Sequence, residues 1–262
     1  MNCIIYPMKV HAVKLEYRRL ELERMPHGYF AEWRGKNVVV VTYDPETQRT
    51  RRLRVTSKLG REYSEKINLY IKKKAEYDAL LSSWHAMYSF SPPRVRFPIK
   101  QYSDPHGMDN GYFNRQTDRC GAYAPPNPTV SDHGDLKSKN ELFGADLLKL
   151  MGIPFKYETS IYLPYIDETI NPDYLISFYE IDRCAYLEIL GMNDKVDYSL
   201  RSATKITGFS KETYRPGREV IYIHVYDKQN FDRDYFVSQV LSAFNDMIPD
   251  DALMWEPVKM VI

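Results

Sequence analysis

The sequence predicts a mixed α and β (α+β) protein in two parts, and two observations carry that prediction. In the second half, apolar and polar residues alternate in an order that gives a helix, three strands, a helix, a strand and a last helix, which implies a mixed sheet flanked by helices. Charge is also divided, because residues 1–100 hold 20 of the 36 Lys and Arg but only 10 of the 35 Asp and Glu. This division indicates two modules with different roles and favours a polyanionic partner for the first.

The first module, residues 1–90, is predicted to contain a small antiparallel sheet and two helices. Residues 11–24 have the charged pattern of a surface helix. Three β-favouring runs separated by turn signals follow, near 28–34, 37–43 and 50–56. A long helix is then expected over about 59–88. The first module therefore combines a three-stranded antiparallel sheet with a long helix.

Apolar and aromatic residues recur at alternating spacings of four and three along the helix predicted over 59–88. They are Tyr63, Ile67, Tyr70, Tyr77, Leu81, Trp84 and Tyr88. Such a stripe packs either against the preceding helix or sheet of the same chain or against a second copy of the helix. The first interpretation needs no partner chain, whereas the second predicts a homodimer.

Residues 91–137 are predicted to be an irregular linker, because prolines and glycines recur throughout and interrupt any regular element. The second module, residues 138–262, is more regular. Ser138 and Glu141 form the start signal of a helix that extends to about Met151. The later elements are strands near 155–163, 171–178 and 184–190, a helix near 194–209, a strand at 219–226 and a helix at 231–247.

Ten Lys and Arg residues stand against two acidic residues between positions 49 and 74. Arg52 and Arg54 alternate with Leu53 and Val55, so one face of this strand is predicted to be basic and the other apolar. Charge runs are commonly solvated surfaces, but this local excess favours contact with the phosphates of a nucleic acid. The residues expected to make that contact are Arg49, Arg51, Arg52, Arg54, Lys58, Arg61, Lys72, Lys73 and Lys74.

Three carboxylates of the second module fall at positions that are predicted to be buried, where a lone charge is costly. Glu141 has small or apolar neighbours on its helix face, although a capping box with Ser138 also requires a glutamate there. Asp173 follows a proline at the mouth of an apolar strand, where a turn or cap is the alternative. Glu188 lies inside the apolar run 186–190, where the alternative is a buried ion pair with Lys or Arg.

A helix, a strand start and the middle of the adjacent strand can bring these three carboxylates to one point. Anions that converge in this way need a cation between them. Hard divalent cations such as Mg²⁺ or Mn²⁺ prefer oxygen ligands, few of them from the protein, with water completing the shell. Such an ion activates a water molecule and stabilises the charge that develops on a phosphate under attack. The carboxylates therefore predict a site for Mg²⁺ or Mn²⁺.

The order of the elements, with Pro172-Asp173 at the start of one strand and Glu188 in the next, resembles the PD-(D/E)xK nuclease superfamily. The segments KSKNELFGADLLKLMGIPFKYETSIYLP, INPDYLISF and YLEILGMND are similar to a bacterial and phage group with this core. The resemblance covers about 137–250 and implies a restriction-endonuclease-like αβββαβ core with a mixed sheet. A looser likeness of 25–90 to small β-sheet DNA-binding modules implies that the first module binds DNA.

The resemblance implies that Asp173 and Glu188 hold the metal, that Glu141 supports it directly or through water, and that the protein hydrolyses phosphodiester bonds. The lysine of the family is expected two residues after Glu188, where this chain has Leu190. The resemblance implies Lys205 on the following helix as the substitute, and a lysine on a solvated helix surface is the alternative. The expected catalytic residues are therefore Glu141, Asp173, Glu188 and Lys205.

These features together predict a metal-dependent nuclease that cuts DNA, with RNA as the other substrate that the residues allow. Two alternatives stay open. One is a nuclease-fold protein that binds nucleic acid with a decayed site. Leu190 and Ile189 favour it, because the family has a lysine at the first position and the closer group often has a histidine at the second. The other is a structural or assembly protein that uses the heptad stripe of the long helix.

The cellular compartment is predicted from what the sequence lacks. It has no run of eighteen apolar residues, so no membrane partner is expected. Its first ten residues lack the basic lead and the cleavage site of a signal peptide. The three cysteines, Cys3, Cys120 and Cys184, show neither pairing nor metal-type spacing. A reducing cytoplasm is the compartment that these features predict.

Overall fold

The computed structural model describes residues 5–33, 37–44, 48–99, 104–119, 121, 132–191, 196–225 and 231–255. It confirms the predicted mixture of helices and strands, and the chain divides into two compact units. We call His11–Val95 with Met254–Ile262 the N-terminal unit, and Met1–Val10 with Arg96–Leu253 the core unit. Within the described part of the chain, none of the helices has the length and apolar character that a membrane span requires.

The N-terminal unit is built from a three-stranded antiparallel sheet and two helices, as the sequence predicts. Its elements are α1 (Met8–Glu23, whose first three residues belong to the core unit), β1 (Gly28–Trp33), β2 (Asn37–Asp44), β3 (Arg49–Arg54), α2 (Lys58–Met87) and the short strand β4 (Arg94–Val95). The strand order is β1-β2-β3. Ser57 starts α2, because its side chain accepts a hydrogen bond from the Gly60 N–H at 3.0 Å and so satisfies a donor of the first turn.

The apolar stripe of α2 is buried inside its own chain. Ile67 and Trp84 have no exposed surface, and the other members of the stripe are half-buried. Ile67 packs against Gly28 of β1, where a Cβ atom would lie 2.7 Å from the isoleucine Cδ1. Trp84 contacts the ring of His11 on α1 and donates its indole N–H to the Phe90 carbonyl at 2.7 Å. The apolar stripe of α2 therefore packs against the sheet and α1 of the same chain, and this packing lends no support to a homodimer.

The core unit contains a four-stranded mixed sheet with helices on both faces. Its elements are α3 (Asn110–Arg115), α4 (Lys139–Leu150), β5 (Phe155–Tyr157), β6 (Ile161–Leu163), β7 (Glu168–Ile170), β8 (Tyr174–Phe178), β9 (Arg183–Leu190), α5 (Val196–Lys211), β10 (Val220–His224), α6 (Arg233–Asp246) and β11 (Leu253–Met254), whose second residue belongs to the N-terminal unit. The sheet has the order β10-β9-β8-β5. Strands β5, β8 and β9 are antiparallel neighbours, and β10 is parallel to β9.

Side chains of this sheet alternate between two faces that different helices cover. Tyr174 and Ile189 point to one face, where both lie against Gly144 of α4. Helix α6 packs beside α4 on this face and also contacts β10. Tyr186 points to the other face, where its ring packs against Phe209 of α5. The sheet is therefore a middle layer with α4 and α6 on one side and α5 on the other.

The single strand predicted over 155–163 is wrong. The chain leaves the sheet at Glu158, whose φ of +48° lies in the left-handed region, where a strand cannot continue. After this break, β6 pairs with β7 as a separate two-stranded hairpin. Tyr157, Ile161 and Leu163 are all buried, so the apolar pattern continues across the break. Periodicity alone therefore could not reveal that the strand ends there.

The linker predicted over 91–137 is only partly described, since 100–103, 120 and 122–131 lie outside the described residues. The described part includes α3, and the boundary between the two compact units falls after Val95. Met108 and Phe113 are buried in the hydrophobic cluster that covers the α5 face of the sheet. These two apolar side chains give the segment a fixed place in the core unit, which its proline and glycine content does not indicate.

The buried histidine of α1 predicts a pH dependence for the stability of the N-terminal unit. His11 Nε2 lies 2.8 Å from the Leu80 carbonyl of α2, and burial lowers the pKa of the imidazole below its usual 6.5. The unfolded chain therefore binds a proton more readily than the folded one. Stability is fully present above about pH 6.5 and falls as the pH drops below it, by at most about 1.4 kcal/mol per pH unit for one proton.

Urea unfolding between about pH 7.5 and 5.5, followed by tryptophan fluorescence, measures this effect. All three tryptophans of the chain belong to the N-terminal unit, so their emission reports on it. His11→Gln keeps an N–H donor near Leu80 but does not titrate, so the dependence on pH should flatten. His85→Gln, at an exposed position of α2, should leave it unchanged. The same slope in His11→Gln and the wild type would contradict this assignment.

Candidate active site

Asp173 directly precedes β8, and Glu188 lies on the neighbouring strand β9. The antiparallel register of the two strands ends with Tyr174 opposite Leu187, and its extension by one position places Asp173 beside Glu188. Residues that face each other in this way project to the same side of a sheet, with Cβ atoms about 4.5–5.5 Å apart. Asp173 is held in place because its Oδ2 accepts a hydrogen bond from the Ile189 N–H at 2.6 Å. We call Asp173 and Glu188 the facing carboxylates.

Glu188 occupies the middle of the sheet rather than its edge. Every residue of β9 from Cys184 to Leu190 is buried. On the other side of β9, the parallel register places Tyr222 of β10 next to Glu188. Burial and the Glu188 charge raise the pKa of Tyr222, so its hydroxyl stays protonated and able to donate a hydrogen bond. Sequence reasoning missed Tyr222, because a tyrosine in an apolar strand carries no signal of its own.

Lys205 of α5 provides the charge that compensates Glu188. Its Nζ lies 2.8 Å from Glu188 Oε1 and 3.5 Å from the Asn171 carbonyl. The Lys205 side chain is 28% exposed and that of Glu188 is 4% exposed, so the pair is largely removed from water. The alternative interpretation of Glu188, a buried ion pair with Lys or Arg, is therefore present in the structure. The partner, Lys205, belongs to α5 rather than to the strand of Glu188. Lys205 is correspondingly not a lysine on a solvated helix surface.

Close packing of α5 brings Lys205 to this position. A Cβ atom at Gly208 would lie 2.8 Å from Leu163 Cδ1 and 3.0 Å from Ile166 Cδ1. A larger residue would therefore push α5 away from β6 and the turn that follows it. Lys205 lies three residues earlier, on the same side of the helix. The glycine thus allows the approach that places the lysine beside Glu188.

The facing carboxylates repel each other, and one lysine balances only part of their charge. Burial raises the pKa of Asp173 well above its ordinary value, and the Glu188 carboxylate raises it further. Burial also raises the pKa of Glu188, although Lys205 opposes this by favouring the ionised form. An added cation would relieve the remaining repulsion, which is the electrostatic condition for binding a metal ion.

Glu141 is anchored in a capping box at the start of α4, which was its alternative interpretation. Its Oε1 accepts a hydrogen bond from Ser138 Oγ at 2.9 Å, and its Oε2 accepts one from the Lys137 N–H at 2.9 Å. The Tyr157 hydroxyl donates to the same Oε2. Both carboxylate oxygens of Glu141 therefore accept hydrogen bonds at the start of α4. The negative charge of Glu141 still acts electrostatically on Asp173 and Glu188, and it raises the pKa of both.

Glu158 is a fourth carboxylate of this region that sequence reasoning missed. Its N–H donates to the Asp173 carbonyl at 3.0 Å, and its side chain is 8% exposed and paired with Lys137. Its charge also raises the pKa of Glu188. The signal that identified Glu188 was an acid within an apolar run. That signal is missing at Glu158, because polar residues flank it.

The donor set suits a divalent cation held by two carboxylates rather than three. Among the residues that the structure describes, no group of three His, Cys, Asp or Glu side chains is placed to hold a metal ion. The predicted convergence of three carboxylates is not what these residues show, because Glu141 uses both oxygens at its helix start. Proteins commonly bind Mg²⁺ through one or two carboxylates and several waters. The facing carboxylates match that pattern.

The arginines of β3 divide between the two faces of the N-terminal sheet. The register pairs Thr42 with Gly28 on one side and with Arg51 on the other, and Gly28 lies against α2. Arg51 therefore projects to the face that α2 covers, and alternation places Arg49 there as well. Arg52 and Arg54 project to the opposite face, which is the basic face that the sequence predicts.

The basic residues of α2 are similarly dispersed. Lys58, Arg61 and Lys72 are exposed. Lys73 pairs with Glu21 at 2.6 Å, and Lys74 pairs with Asp78 at 2.7 Å. The nine basic residues expected to contact nucleic acid therefore do not form one patch. Part of the helical charge is balanced by acids of the same unit.

The chain matches no protein-family model, no curated protein and no solved structure. Its function therefore has to follow from the facing carboxylates, Lys205 and the charges around them.

The Glu188–Lys205 pair predicts coupling in a double-mutant cycle. Lys205→Met leaves the buried Glu188 without its partner and should lower the free energy of unfolding by about 1–3 kcal/mol. Glu188→Gln added to Lys205→Met should restore part of this loss, because the buried charge is then gone. Urea unfolding of the four proteins, followed by circular dichroism, gives the coupling energy. Lys211→Met, at the exposed end of α5, is the control. Strictly additive effects would show that the two side chains act independently.

Proposed function

We propose that the core unit is a metal-dependent nuclease that hydrolyses the phosphodiester bonds of DNA. The observation that carries the proposal is the pair of facing carboxylates with the ammonium group of Lys205 2.8 Å from Glu188. Two acids and a cation on one side of a mixed sheet are groups that phosphodiester hydrolysis by water requires. The order of helices and strands around them supports a restriction-endonuclease-like αβββαβ core.

The facing carboxylates would hold Mg²⁺ or Mn²⁺, and such an ion, when bound, lowers the pKa of a water ligand and offsets charge on the phosphate. Asp173 and Glu188 are preorganised for this role. The first is fixed by the Ile189 N–H, and the second belongs to a strand that is buried from Cys184 to Leu190. Glu141 and Glu158 add negative potential that attracts a cation, since both raise the pKa of Glu188.

Lys205 would supply positive charge where the reaction builds negative charge. Its ammonium group lies at Glu188 Oε1, within reach of a phosphate bound beside the facing carboxylates. Attack by water adds negative charge to the phosphate oxygens, and a fixed cation there lowers the barrier. Leu190 stands where the PD-(D/E)xK pattern has its lysine, and it is buried and uncharged. Lys205 of α5 would therefore supply the positive charge that Leu190 cannot supply.

A nucleic-acid-binding protein with an inactive site is the second candidate. The observation that favours it is that Lys205 already neutralises part of the Glu188 charge. A metal ion must compete with this ammonium group for Glu188, which weakens its binding. Such a protein would bind DNA without cutting it. The assembly role of α2 has no comparable support, because its stripe is buried within the chain.

For the N-terminal unit we propose a role in holding the nucleic acid, DNA in the first place and RNA as the alternative. Arg52 and Arg54 share the sheet face away from α2, and both are exposed. Arginines in this position can contact successive phosphates and so orient the chain on its substrate. A protein of bacterial or phage type that binds and cuts DNA would act in the cytoplasm, where that DNA is found.

Substitution of the facing carboxylates should abolish cleavage. Asp173→Asn and Glu188→Gln each keep the size of the side chain but remove its charge. Cutting of a plasmid with Mg²⁺ or Mn²⁺ should therefore fall by at least about a hundredfold. Lys205→Ala should slow cutting by about a hundred- to a thousandfold and spare DNA binding, because its charge acts mainly on the transition state. A gel assay of the purified full-length variants measures the rates.

Two variants are matched controls for this experiment. Glu168→Gln removes an exposed acid of β7 and Lys211→Ala removes an exposed lysine of α5, and both should cut like the wild type. If the wild type binds DNA but cuts it with neither metal, the nuclease proposal fails and the inactive-site candidate replaces it. Full activity in Lys205→Ala would make the lysine a structural partner of Glu188 alone.

Loss of two arginines should weaken DNA binding and reduce its salt dependence. In Arg52→Ala with Arg54→Ala, the slope of log affinity against log salt should flatten by about one unit for each lost phosphate contact. Fluorescence anisotropy of labelled DNA in EDTA, at several salt concentrations, measures both effects. Lys74→Ala is the control and should change the slope less, because its charge is balanced by Asp78. An unchanged slope in the double variant would assign this face to solvent.

A further inference from the structure

The sheet face away from α2 carries aromatic rings as well as charge. We call this surface the open face, and its described side chains include Tyr29, Val39, Val41, Tyr43, Thr50, Arg52 and Arg54. Tyr29 is 59% exposed and Tyr43 is 51% exposed. The two arginines are also exposed, whereas the two valines between these side chains are buried. The open face is therefore an apolar floor bordered by accessible rings and guanidinium groups.

The register of the three strands sets the arrangement of these groups. Val41 of the middle strand pairs with Tyr29 on one side and with Arg52 on the other, so a ring and a guanidinium group flank it. Tyr43 lies two residues along β2 on the same face. Diagonal neighbours of this kind are about 7–8 Å apart, which leaves room for a planar group on each ring.

Arg52 and Arg54 place two positive charges on the open face. Exposed positive charge suits the phosphates of a polyanion. The tyrosine rings beside these arginines can also stack on flat apolar groups of a partner. Nucleic acids combine both features.

We propose that the open face binds single-stranded nucleic acid, with bases stacked on Tyr29 and Tyr43 and phosphates held by Arg52 and Arg54. The proposal rests on the nucleic-acid function proposed above and specifies the form that the N-terminal unit recognises. An unpaired base offers its flat surface to a tyrosine ring, whereas neighbouring bases cover both flat surfaces in a duplex. The arginines serve both forms equally, but the rings gain stacking energy from single strands alone.

The test compares binding of one labelled oligonucleotide, single-stranded or annealed to its complement, to the full chain in EDTA. The wild type should bind the single strand at least about tenfold more tightly than the duplex. Tyr29→Leu with Tyr43→Leu should weaken single-strand binding by about tenfold for each lost ring and leave duplex binding unchanged. Tyr29→Phe with Tyr43→Phe keeps both rings and should bind like the wild type.

Controls separate loss of the rings from loss of the fold. Tyr165→Leu removes a tyrosine of the core unit that is also 59% exposed, and it should not change single-strand binding. If the double Leu variant loses the tryptophan emission of the folded unit, Tyr29→Leu and Tyr43→Leu are measured singly.

The outcomes separate this proposal from the nuclease proposal. Tighter binding of the duplex by the wild type, or equal single-strand binding by the Leu and Phe variants, would overturn the role of the open face and leave the nuclease proposal standing. Single-strand binding that depends on the rings, without cleavage in either metal, would support the open face and overturn the nuclease. Absence of binding to either form would overturn the role of the open face, and the cleavage assay with Mg²⁺ or Mn²⁺ would decide the nuclease proposal separately.

Discussion

The placement of two facing carboxylates where β8 meets β9, with Glu188 buried and Asp173 half-buried, is the constraint on which the core unit depends. Removing a carboxylate from water costs on the order of several kcal/mol unless a partner compensates it. Lys205 compensates Glu188, and the Ile189 N–H compensates Asp173. The partners belong to different elements, so α5, β8 and β9 must all be in place before the two charges are tolerated. The small residue at Gly208 matters for the same reason, because it lets α5 approach closely.

This compensation is incomplete in a way that suits a reaction site. Burial raises the pKa of both facing carboxylates, the charge of Glu188 raises that of Asp173 further, and the charges of Glu141 and Glu158 raise that of Glu188. Apolar residues at the same positions would pack at no electrostatic cost and often give a more stable protein. Stability alone therefore does not explain acids in an otherwise apolar strand, whereas the proposed role in binding a cation would.

The two units use charge in physically different ways. The core unit buries Glu188 and pairs it with Lys205, and charges removed from water in this way interact strongly over short distances. The N-terminal unit exposes Arg52 and Arg54, where salt screens their charges.

Local pattern by itself determined most of the fold and part of the site. The apolar stripe of α2 fits only a helix, and the apolar runs of β8 and β9 fit only strands. Glu188 was identified as a candidate site residue because it is an acid within such an apolar run. Tertiary structure alone decided the break at Glu158, the pairing of Lys205 with Glu188 and the helix-cap contacts of Glu141. It also decided that Met108 and Phe113 of the expected linker enter the core. These features depend on how helices pack against a sheet, and such packing joins residues that no local periodicity relates.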